Sequence, residues 1–293
     1  MRKALITCLA LAAALVVAAT ASGRTDATKA AGAIPGCSPA SLNLLAEGTL
    51  TIGTDNPAFP PWWGGTPKKP WQVSDPASGK GYESAVAYQI AKRLGFAKGD
   101  VKWVAVPFNN SFKPGKKPFD FYMAQVSYKP ERAKNVTFST AYYYVDQAVV
   151  GIKGTPIASV RSLAGLRKYK LGAQIGTTSY EYIVKTIKPT RQPSVFDSNA
   201  DAVAALKNKQ IDGLVVDYPS TGYITGVQVP TSKVVGRLRQ AGAGREYFGL
   251  VFSRGNVLVK CVDKALTAMK ADGTLARLER IWLAQSGGAP VLK

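Results

Sequence analysis

The order of secondary-structure patterns is the feature that most constrains the fold of this chain. Residues 50–54 alternate like a short strand, and apolar residues recur at helical spacing across residues 83–94. Residues 102–106 read as the next strand. A strand–helix–strand order of this kind predicts a sheet that is covered by helices.

The same order then restarts further along the chain. A short strand is predicted at 170–174, a helix at 177–187, an amphipathic helix at 199–207 and an apolar strand at 211–216. Residues 246–253 read as a further strand that carries the chain back. The second block therefore forms a lobe of its own, and the fold class is α/β with two lobes, each a sheet flanked by helices.

The N-terminus reads as a secretory signal peptide. A basic start (Met1 to Lys3) precedes an apolar run, and Ala19-Thr20-Ala21 gives a small-x-small cleavage site. A membrane anchor is the alternative, but the apolar run is short for a span of about 20 residues. We expect residues 1–21 to be removed and residues 22–36 to form a flexible leader, which predicts an exported, envelope-associated protein in the periplasm or outside the cell.

Cysteine and histidine usage narrows the chemistry. Outside the signal segment the chain has two cysteines, Cys37 and Cys261, and an even pair in an exported protein predicts a disulfide, with two free thiols as the alternative. Histidine is absent. This excludes histidine-dependent nucleophilic catalysis and histidine metal sites, and we expect no catalytic residue, metal or cofactor.

The chain is strongly basic, with 38 Lys and Arg against 18 Asp and Glu and a formal charge of +20. Such a charge attracts nucleic acid or anionic surfaces in general. The basic residues are scattered, and no zinc-finger or RNP-like motif accompanies them. We therefore expect no nucleic-acid partner, and a basic surface suited to an anionic cell envelope.

One segment carries the strongest functional signal. Ser127 lies five residues before Arg132, where a strand end runs into a helical turn. A guanidinium grips a carboxylate with two parallel hydrogen bonds, and a nearby hydroxyl adds a third. The alternatives are a surface arginine paired with Glu131 and an ordinary turn serine.

A carboxylate ends the apolar strand at 211–216. Asp217 stands where ligand groups commonly lie in open α/β sheets, although it also suits a cap for the turn that contains Pro219. An arginine for a carboxylate and an aspartate for an ammonium together predict a pocket for a free α-amino acid.

These residues resemble a known family. From about residue 45 to 285 the chain is similar to extracellular solute-binding proteins of polar amino acid ABC importers, which have the type II periplasmic-binding fold. The resemblance rests on six motifs in register: residues 50–55, 81–83, Ser127 with Arg132, 176–178, Asp217 and 271–274.

The resemblance implies the layout of the lobes. It makes the first lobe discontinuous, from 37–145 plus 248–293, with the second lobe at 146–247. Two crossing strands, near 143–150 and 243–250, would join them. A disulfide between the two cysteines would then tie the chain ends into one lobe.

The resemblance also implies roles for individual residues. Arg132 and Ser127 would hold the ligand carboxylate from one lobe, Thr177 and Thr178 would reach it from the other, and Asp217 would take the ammonium. For the two threonines the alternative is plain helix capping. Further cleft positions are Asp55, Phe59, Trp62, Glu83 and Phe108, with Gln125 and Gln174 as neutral polar contacts.

Three of these positions have alternatives of their own. The segment from Asp55 to Trp62 is one residue longer than the commoner spacing in the family, so core packing is the alternative for Phe59 and Trp62. Glu83 suits a cationic ligand side chain or a solvent-facing helix start.

The function that follows is binding of a free polar L-amino acid between the lobes, without chemistry, and delivery to the membrane permease of an ABC importer by a monomeric receptor. An exported dehydratase acting on a prephenate-like acid on the same fold is the alternative from another class. A basic envelope-binding protein that has kept the fold is a third reading.

Overall fold

The computed structural model describes residues 34–239, 244–284 and 288–293. The predicted signal peptide, and the leader as far as residue 33, lie outside the described residues. Within the described ranges no helix combines the length and the apolar character that crossing a bilayer requires.

The strands of the described part of the chain are short. In chain order they are β1 (Leu50–Thr54), β2 (Val101–Ala105), β3 (Phe121–Tyr122), β4 (Val136–Phe138), β5 (Tyr143–Tyr144), β6 (Gln147–Ile152), β7 (Leu171–Gln174), β8 (Ser194–Phe196), β9 (Gly213–Asp217), β10 (Ser232–Leu238), β11 (Tyr247–Phe248) and β12 (Val251–Ser253).

The helices vary more in length. They are α1 (Tyr82–Arg93), α2 (Pro130–Ala133), α3 (Leu163–Leu166), α4 (Thr178–Tyr182), α5 (Asn199–Lys207), α6 (Thr221–Tyr223), α7 (Leu258–Ala271) and α8 (Thr274–Trp282). A π-helical turn continues α4 at Ile183–Ile187 and another continues α6 at Ile224–Gln228.

The first lobe is built on a five-stranded sheet with the order β2-β1-β3-β12-β4. β1 pairs in parallel with β2 and β3, whereas β12 runs antiparallel between β3 and β4. Because β12 comes after the strands of the second lobe, two distant stretches of sequence assemble this sheet.

Helix α1 packs on this sheet through the apolar residues that the sequence spacing predicted, including Val86 and Ile90, both fully buried. Gly81, directly before the helix, has a φ of +90°, and a Cβ there would stand 2.5 Å from the Cα of Trp63. Only glycine fits this approach, so the sequence fixes where α1 begins.

The second lobe is built on another five-stranded sheet, with the order β10-β6-β9-β7-β8. Its faces carry separate apolar clusters: Val149 of β6 belongs to one and Val150 to the other. Successive strand residues point to opposite faces, so a run of apolar residues in β6 serves both sides, as expected for a sheet with helices on each face.

Two strands join the lobes. β5 and β11 pair antiparallel, with Tyr144 opposite Tyr247 and Tyr143 opposite Phe248. The predicted architecture of two lobes, each a sheet flanked by helices, connected by two hinge strands is confirmed.

The last residues of the chain lie on the second lobe. Val291 forms a parallel bridge with Arg237 of β10, and Leu292 is buried in the apolar cluster of that lobe. Leu292 fits because Gly236 has no side chain: a Cβ there would stand 2.5 Å from the Cγ of Leu292. The expected assignment of 248–293 to the first lobe therefore does not describe the C-terminal residues, which complete the open edge of β10.

The two cysteines form a disulfide. Cys37 is bonded to Cys261 of α7, with the two Cα atoms 5.7 Å apart. Both residues belong to or pack against the apolar cluster of the first lobe. The predicted disulfide is thus present, and it links the start of the described chain to a late helix of the same lobe.

Candidate functional site

A cavity of about 290 Å³ lies between the two lobes. All but one of the twelve residues predicted to bind ligand line it; the exception is Glu83. The lining residues that the sequence predicted are Asp55, Phe59, Trp62, Phe108, Gln125, Ser127, Arg132, Gln174, Thr177, Thr178 and Asp217.

Arg132 forms one wall of the cavity and is almost fully buried. It lies in α2, which begins at Pro130. Its Nη1 donates to the carbonyl oxygen of Ser127 at 2.6 Å and its Nη2 to the carbonyl oxygen of Gly176 in the second lobe at 2.7 Å. The guanidinium also lies over the ring of Phe112, 4.4 Å from its centroid.

These contacts hold the side chain of Arg132 in place but use only some of its N–H donors. A guanidinium has five N–H donors, and the two carbonyls take two of them. Burial lowers the pKa of Arg132 to about 10, so the group stays cationic at neutral pH. The alternative of a surface arginine does not describe this residue, and donors remain for an anion.

The hydroxyl of Ser127 is already committed. Its Oγ donates to Oε1 of Glu246 at 2.5 Å and lies 3.5 Å from Oγ1 of Thr178. A hydroxyl has one proton to donate. In this arrangement the proton of Ser127 goes to the carboxylate of Glu246, so the hydroxyl can accept a hydrogen bond from a ligand but has no second proton for a ligand carboxylate. This differs from the role expected for it.

The two threonines have different roles. Thr177 caps α4: its Oγ1 accepts from the N–H of Tyr180 at 3.2 Å and donates to the carbonyl of Gln174 at 2.7 Å. Thr178 directs its Oγ1 toward Ser127 and toward Nε2 of Gln147, each at 3.5 Å. Thr178 is thus the threonine whose hydroxyl belongs to the polar network of the site.

Asp217 ends β9 and faces the cavity from the second lobe. Its side chain makes no capping bond to the turn that follows, but its Oδ1 accepts from Nε2 of Gln147 at 2.7 Å. Burial, and then the charge of Glu246, raise the pKa of Asp217 to about 8, while the bond from Gln147 and the charge of Arg132 act against this rise. A cation placed beside Asp217 would restore its charged form.

Two residues of this network were not predicted from the sequence. Gln147 begins β6 and donates from Nε2 to Glu246 as well as to Asp217, while its Oε1 accepts from Ser179 Oγ at 2.6 Å. Glu246 precedes β11 and is buried. The available signal was weak: each is a polar residue at the start of a strand that is otherwise apolar.

Glu83 does not line the cavity. It lies in the first turn of α1, is fully buried, and accepts hydrogen bonds from the N–H of Gln125 (2.8 Å), from Nε2 of Gln125 and from the hydroxyl of Tyr142. Burial raises its pKa to about 7. The expected contact with a ligand side chain is therefore wrong for Glu83, as is a solvent-facing position.

Aromatic residues close the cavity on the side of the first lobe. Trp62 is 1% exposed and packs edge-to-face on Tyr82, while its indole N–H donates to Ser220 Oγ of the second lobe at 2.9 Å. Phe59 faces Tyr223 of the second lobe, with 6.2 Å between ring centroids. Trp62 thus combines the core packing that was its alternative role with a place in the cavity wall.

The remaining predicted residues, Asp55, Phe108 and Gln174, also line the cavity. Burial raises the pKa of Asp55, whose Oδ1 accepts from the N–H of Asn56. Phe108 stands edge-to-face to Phe112. Gln174 donates to the carbonyl of Asp197 at 3.2 Å. Polar lining residues that the sequence did not predict include Asn56, Asn109, Ser179, Asp197, Ser198, Asn199, Ser220 and Gln228.

The two lobes are in contact around the cavity. Besides the bonds from Arg132 to Gly176 and from Trp62 to Ser220, Lys129 of the first lobe forms an ion pair with Glu181 of the second. A cleft closed by such contacts between lobes that share two hinge strands has the geometry for trapping a small molecule.

The match to a family model defines the class of protein. Residues 63–285 match the bacterial extracellular solute-binding proteins, family 3. The chain belongs to this family, and the relation predicted from its motifs is confirmed.

Individual relatives are more distant. The ABC transporter arginine-binding protein 1 of Escherichia coli (strain K12) is 28% identical over 172 residues, covering 57% of this chain and 67% of that protein. Among solved structures, an ancestral arginine-binding protein bound to glutamine is 29% identical with a TM-score of 0.64, covering 81% of this chain and 98% of the other.

A further similar structure is the ancestral amino acid-binding protein AncCDT-1, a precursor of cyclohexadienyl dehydratase. It is 28% identical with a TM-score of 0.64 and covers 80% of this chain and 95% of the other. Family membership makes this chain an extracellular solute-binding protein, and these relatives are proteins that bind amino acids.

Proposed function

We propose that this protein binds a free L-amino acid with its carboxylate at Arg132 and its ammonium at Asp217. A single observation carries the assignment: a buried cation of the first lobe, Arg132, and a partly buried carboxylate of the second, Asp217, line the same cavity. Both ends of a zwitterion would then meet opposite charges, which matters because an unpaired buried charge costs several kcal/mol.

The charges that line the cavity favour a basic side chain. Arg132 is the one cationic residue among the described lining residues, whereas Asp55, Asp197 and Asp217 are acidic. A zwitterionic ligand adds no net charge to the cavity. A ligand with one further positive charge offsets part of the excess of carboxylates. We propose that Asp55 and Asp197 face the side chain of a basic amino acid, with L-arginine as the first candidate because of the arginine-binding relatives.

The rings nearby suit such a side chain. Phe59, Tyr223 and Phe108 line the cavity from both lobes. A guanidinium or ammonium is attracted to aromatic faces, which adds about 0.5–2 kcal/mol when the contact is desolvated. The amide-bearing residues at the edge of the cavity, such as Asn199 and Gln228, supply further acceptors.

The test is a thermal-shift screen of the mature protein against the twenty common L-amino acids, followed by calorimetry. A ligand at a hundred times its dissociation constant stabilises the fold by about 2.7 kcal/mol. One clear stabiliser, lost in Arg132→Ala, supports the proposal. If none of the twenty stabilises the protein, the amino acid-binding role is wrong.

The dehydratase alternative has one supporting observation, the similarity to a precursor of cyclohexadienyl dehydratase. The cavity speaks against it, because a prephenate-like dianion would meet three carboxylates and one guanidinium. We propose that no chemistry is done on the ligand. Turnover of prephenate by the purified protein would overturn this.

We further propose that the protein is exported, acts as a monomer without a nucleic-acid partner, and presents its closed form to a membrane permease. Family membership supports the export and the permease. N-terminal sequencing of the secreted protein tests cleavage near residue 21, and its native mass in solution tests the monomer.

A further inference from the structure

The buried carboxylate of Glu83 is a feature of the site that amino acid binding by itself does not explain. It is 0% exposed and does not line the cavity. It nonetheless accepts three hydrogen bonds, two of them from one residue, Gln125, and the third from Tyr142. Removing a carboxylate from water costs free energy, and these hydrogen bonds offset that cost. Such an arrangement indicates that the carboxylate holds its hydrogen-bond donors in place.

Gln125 has an unusual backbone. Its φ is +51°, in the left-handed region that residues other than glycine rarely adopt. Holding such a conformation costs of the order of 1 kcal/mol or more and persists only where the surroundings impose it. Glu83 bonds both the backbone N–H and the side-chain amide of Gln125, so it fixes the backbone and the side chain together.

The conformation of Gln125 matters for the ligand. Gln125 lines the cavity, and so do Ser127 and Arg132 a few residues further on. Arg132 bonds back to the carbonyl of Ser127 at 2.6 Å. A change at Gln125 therefore shifts the start of the segment that presents the guanidinium.

We propose that Glu83 is a positioning residue for ligand binding: it holds Gln125 in the left-handed conformation and thereby sets the segment from Gln125 to Arg132. This inference rests on the proposed amino acid-binding function. It assigns to Glu83 a role in the site without any contact to the ligand.

A carboxylate suits this task better than an amide. An ionised glutamate only accepts hydrogen bonds and offers two oxygens, enough for the three donors that surround it. A glutamine has one acceptor oxygen, so it cannot accept from both the backbone N–H and the side-chain amide of Gln125. Glu83→Gln keeps the shape of the side chain and loses one of the two bonds to Gln125 as they stand.

A double-mutant cycle tests the proposal with L-arginine as the probe. The variants are Glu83→Gln, Gln125→Gly and the pair, since glycine adopts a positive φ without strain. We expect Glu83→Gln to weaken binding about tenfold or more with Gln125 present, and less than about threefold with glycine at 125. Equal losses in both backgrounds would mean that Glu83 acts in some other way.

Tyr142→Phe is the matched control, because it removes one donor to Glu83 and leaves both bonds to Gln125. Affinity within about threefold of the parent is expected. A loss as large as that of Glu83→Gln would overturn the assignment, since the two bonds to Gln125 would then not be what matters.

A second measurement does not depend on the ligand. Amide hydrogen exchange at Gln125 in the unliganded protein should accelerate in Glu83→Gln and stay unchanged in Tyr142→Phe. Unchanged exchange in Glu83→Gln overturns the inference whether or not L-arginine binds. If exchange accelerates but the parent protein binds no amino acid, the proposed function fails while the link between Glu83 and Gln125 stands.

If Glu83→Gln fails to fold, a comparison of Gln125→Ala with Gln125→Gly tests whether Gln125 is held in a strained backbone conformation. Alanine keeps the backbone strain and removes the side-chain bond to Glu83, so it should lower the melting temperature more than glycine does. Equal melting temperatures would show that no strain is held at this position.

Discussion

Arg132 donates to the carbonyl of Gly176 across the cleft at 2.7 Å. The group proposed to hold the ligand carboxylate thus also contacts the opposite lobe. The same side chain therefore serves the proposed ligand contact and a contact between the lobes. We expect a substitution at Arg132 to affect both ligand binding and lobe closure.

Replacing Arg132 by lysine should weaken ligand binding about 10- to 100-fold. An ammonium cannot reproduce two parallel bonds to a carboxylate together with bonds to two carbonyls, and each hydrogen bond to a charged group contributes about 1.5–3 kcal/mol. Calorimetry with the best ligand from the amino acid panel measures the change. Arg277→Lys, at an exposed position of α8, is the control and should bind like the parent. Affinity unchanged in Arg132→Lys would remove this residue from the site.

Asp217→Asn should abolish tight binding and yet stabilise the unliganded protein at alkaline pH. The pKa of Asp217 is raised from 3.8 to about 8. The folded state thus holds the proton of Asp217 more tightly than the unfolded state, so the contribution of Asp217 to stability is greatest below pH 3.8 and falls as the pH rises toward 8. Asparagine carries no such penalty. We expect a gain of about 1–3 kcal/mol at pH 8 that shrinks toward pH 4.

Melting temperatures of the unliganded proteins between pH 4 and 9 measure this effect. Glu47→Gln, at an exposed carboxylate, should leave the profile of the parent unchanged. A stability difference between Asp217→Asn and the parent that is the same at every pH would contradict a raised pKa at Asp217.

The ion pair between Lys129 and Glu181 offers a direct test of closure. Glu181 bonds Lys129 of the first lobe and also Lys185 of its own lobe, at 3.3 Å. Lys129→Ala removes the contact between lobes and Lys185→Ala removes the contact within one lobe. Partly exposed pairs contribute about 0.2–1 kcal/mol, so Lys129→Ala should weaken ligand binding up to about fivefold and Lys185→Ala should not.

The measurement is affinity at low and at high salt, with the distance between labels on the two lobes as a second readout. The difference between the two variants should disappear at about 1 M salt, where the Debye length is about 3 Å. If Lys185→Ala weakens binding as much as Lys129→Ala, the contact between lobes is not what supports closure.

Reduction of the disulfide should lower stability without changing the ligand site. Cys37 and Cys261 are 224 residues apart in sequence and both lie on the first lobe. Loss of a native disulfide typically costs about 2–5 kcal/mol. The melting temperature should fall both with and without ligand, while affinity at 25 °C stays the same. Reduced affinity at that temperature would indicate that the bond constrains the cleft.

The sequence predicts the parts of this molecule that depend on local patterns. Helix α1 follows from its apolar spacing, and Arg132 and Asp217 follow from their places at strand ends. The structure brings those two side chains into one cavity. Chemistry and periodicity were sufficient to find these two positions, because a strand end is set by the local segment. Their bonding partners, Gly176 and Gln147, lie far away in the sequence and were not predicted as partners.

Other parts depend on partners that are distant in sequence. The proton of Ser127 goes to Glu246, and Glu83 turns inward because Gln125 and Tyr142 meet it. Neither result can be derived from a segment alone. Gln147 was not predicted for the same reason. Its amide bonds Asp217 at the end of β9 and Glu246 before β11, and these partners come together with β6 only in the folded protein.

The C-terminal residues have a mechanical consequence. α8 belongs to the first lobe, whereas Val291 and Leu292 are held on β10 of the second. From Ala284 to Gly288 the chain has four peptide steps, about 14 Å at full extension. The chain between α8 and Val291 is therefore a third covalent connection between the lobes, in addition to the two hinge strands. The length of this connection limits how far the two lobes can separate when the cleft opens, unless Leu292 leaves its place against Gly236.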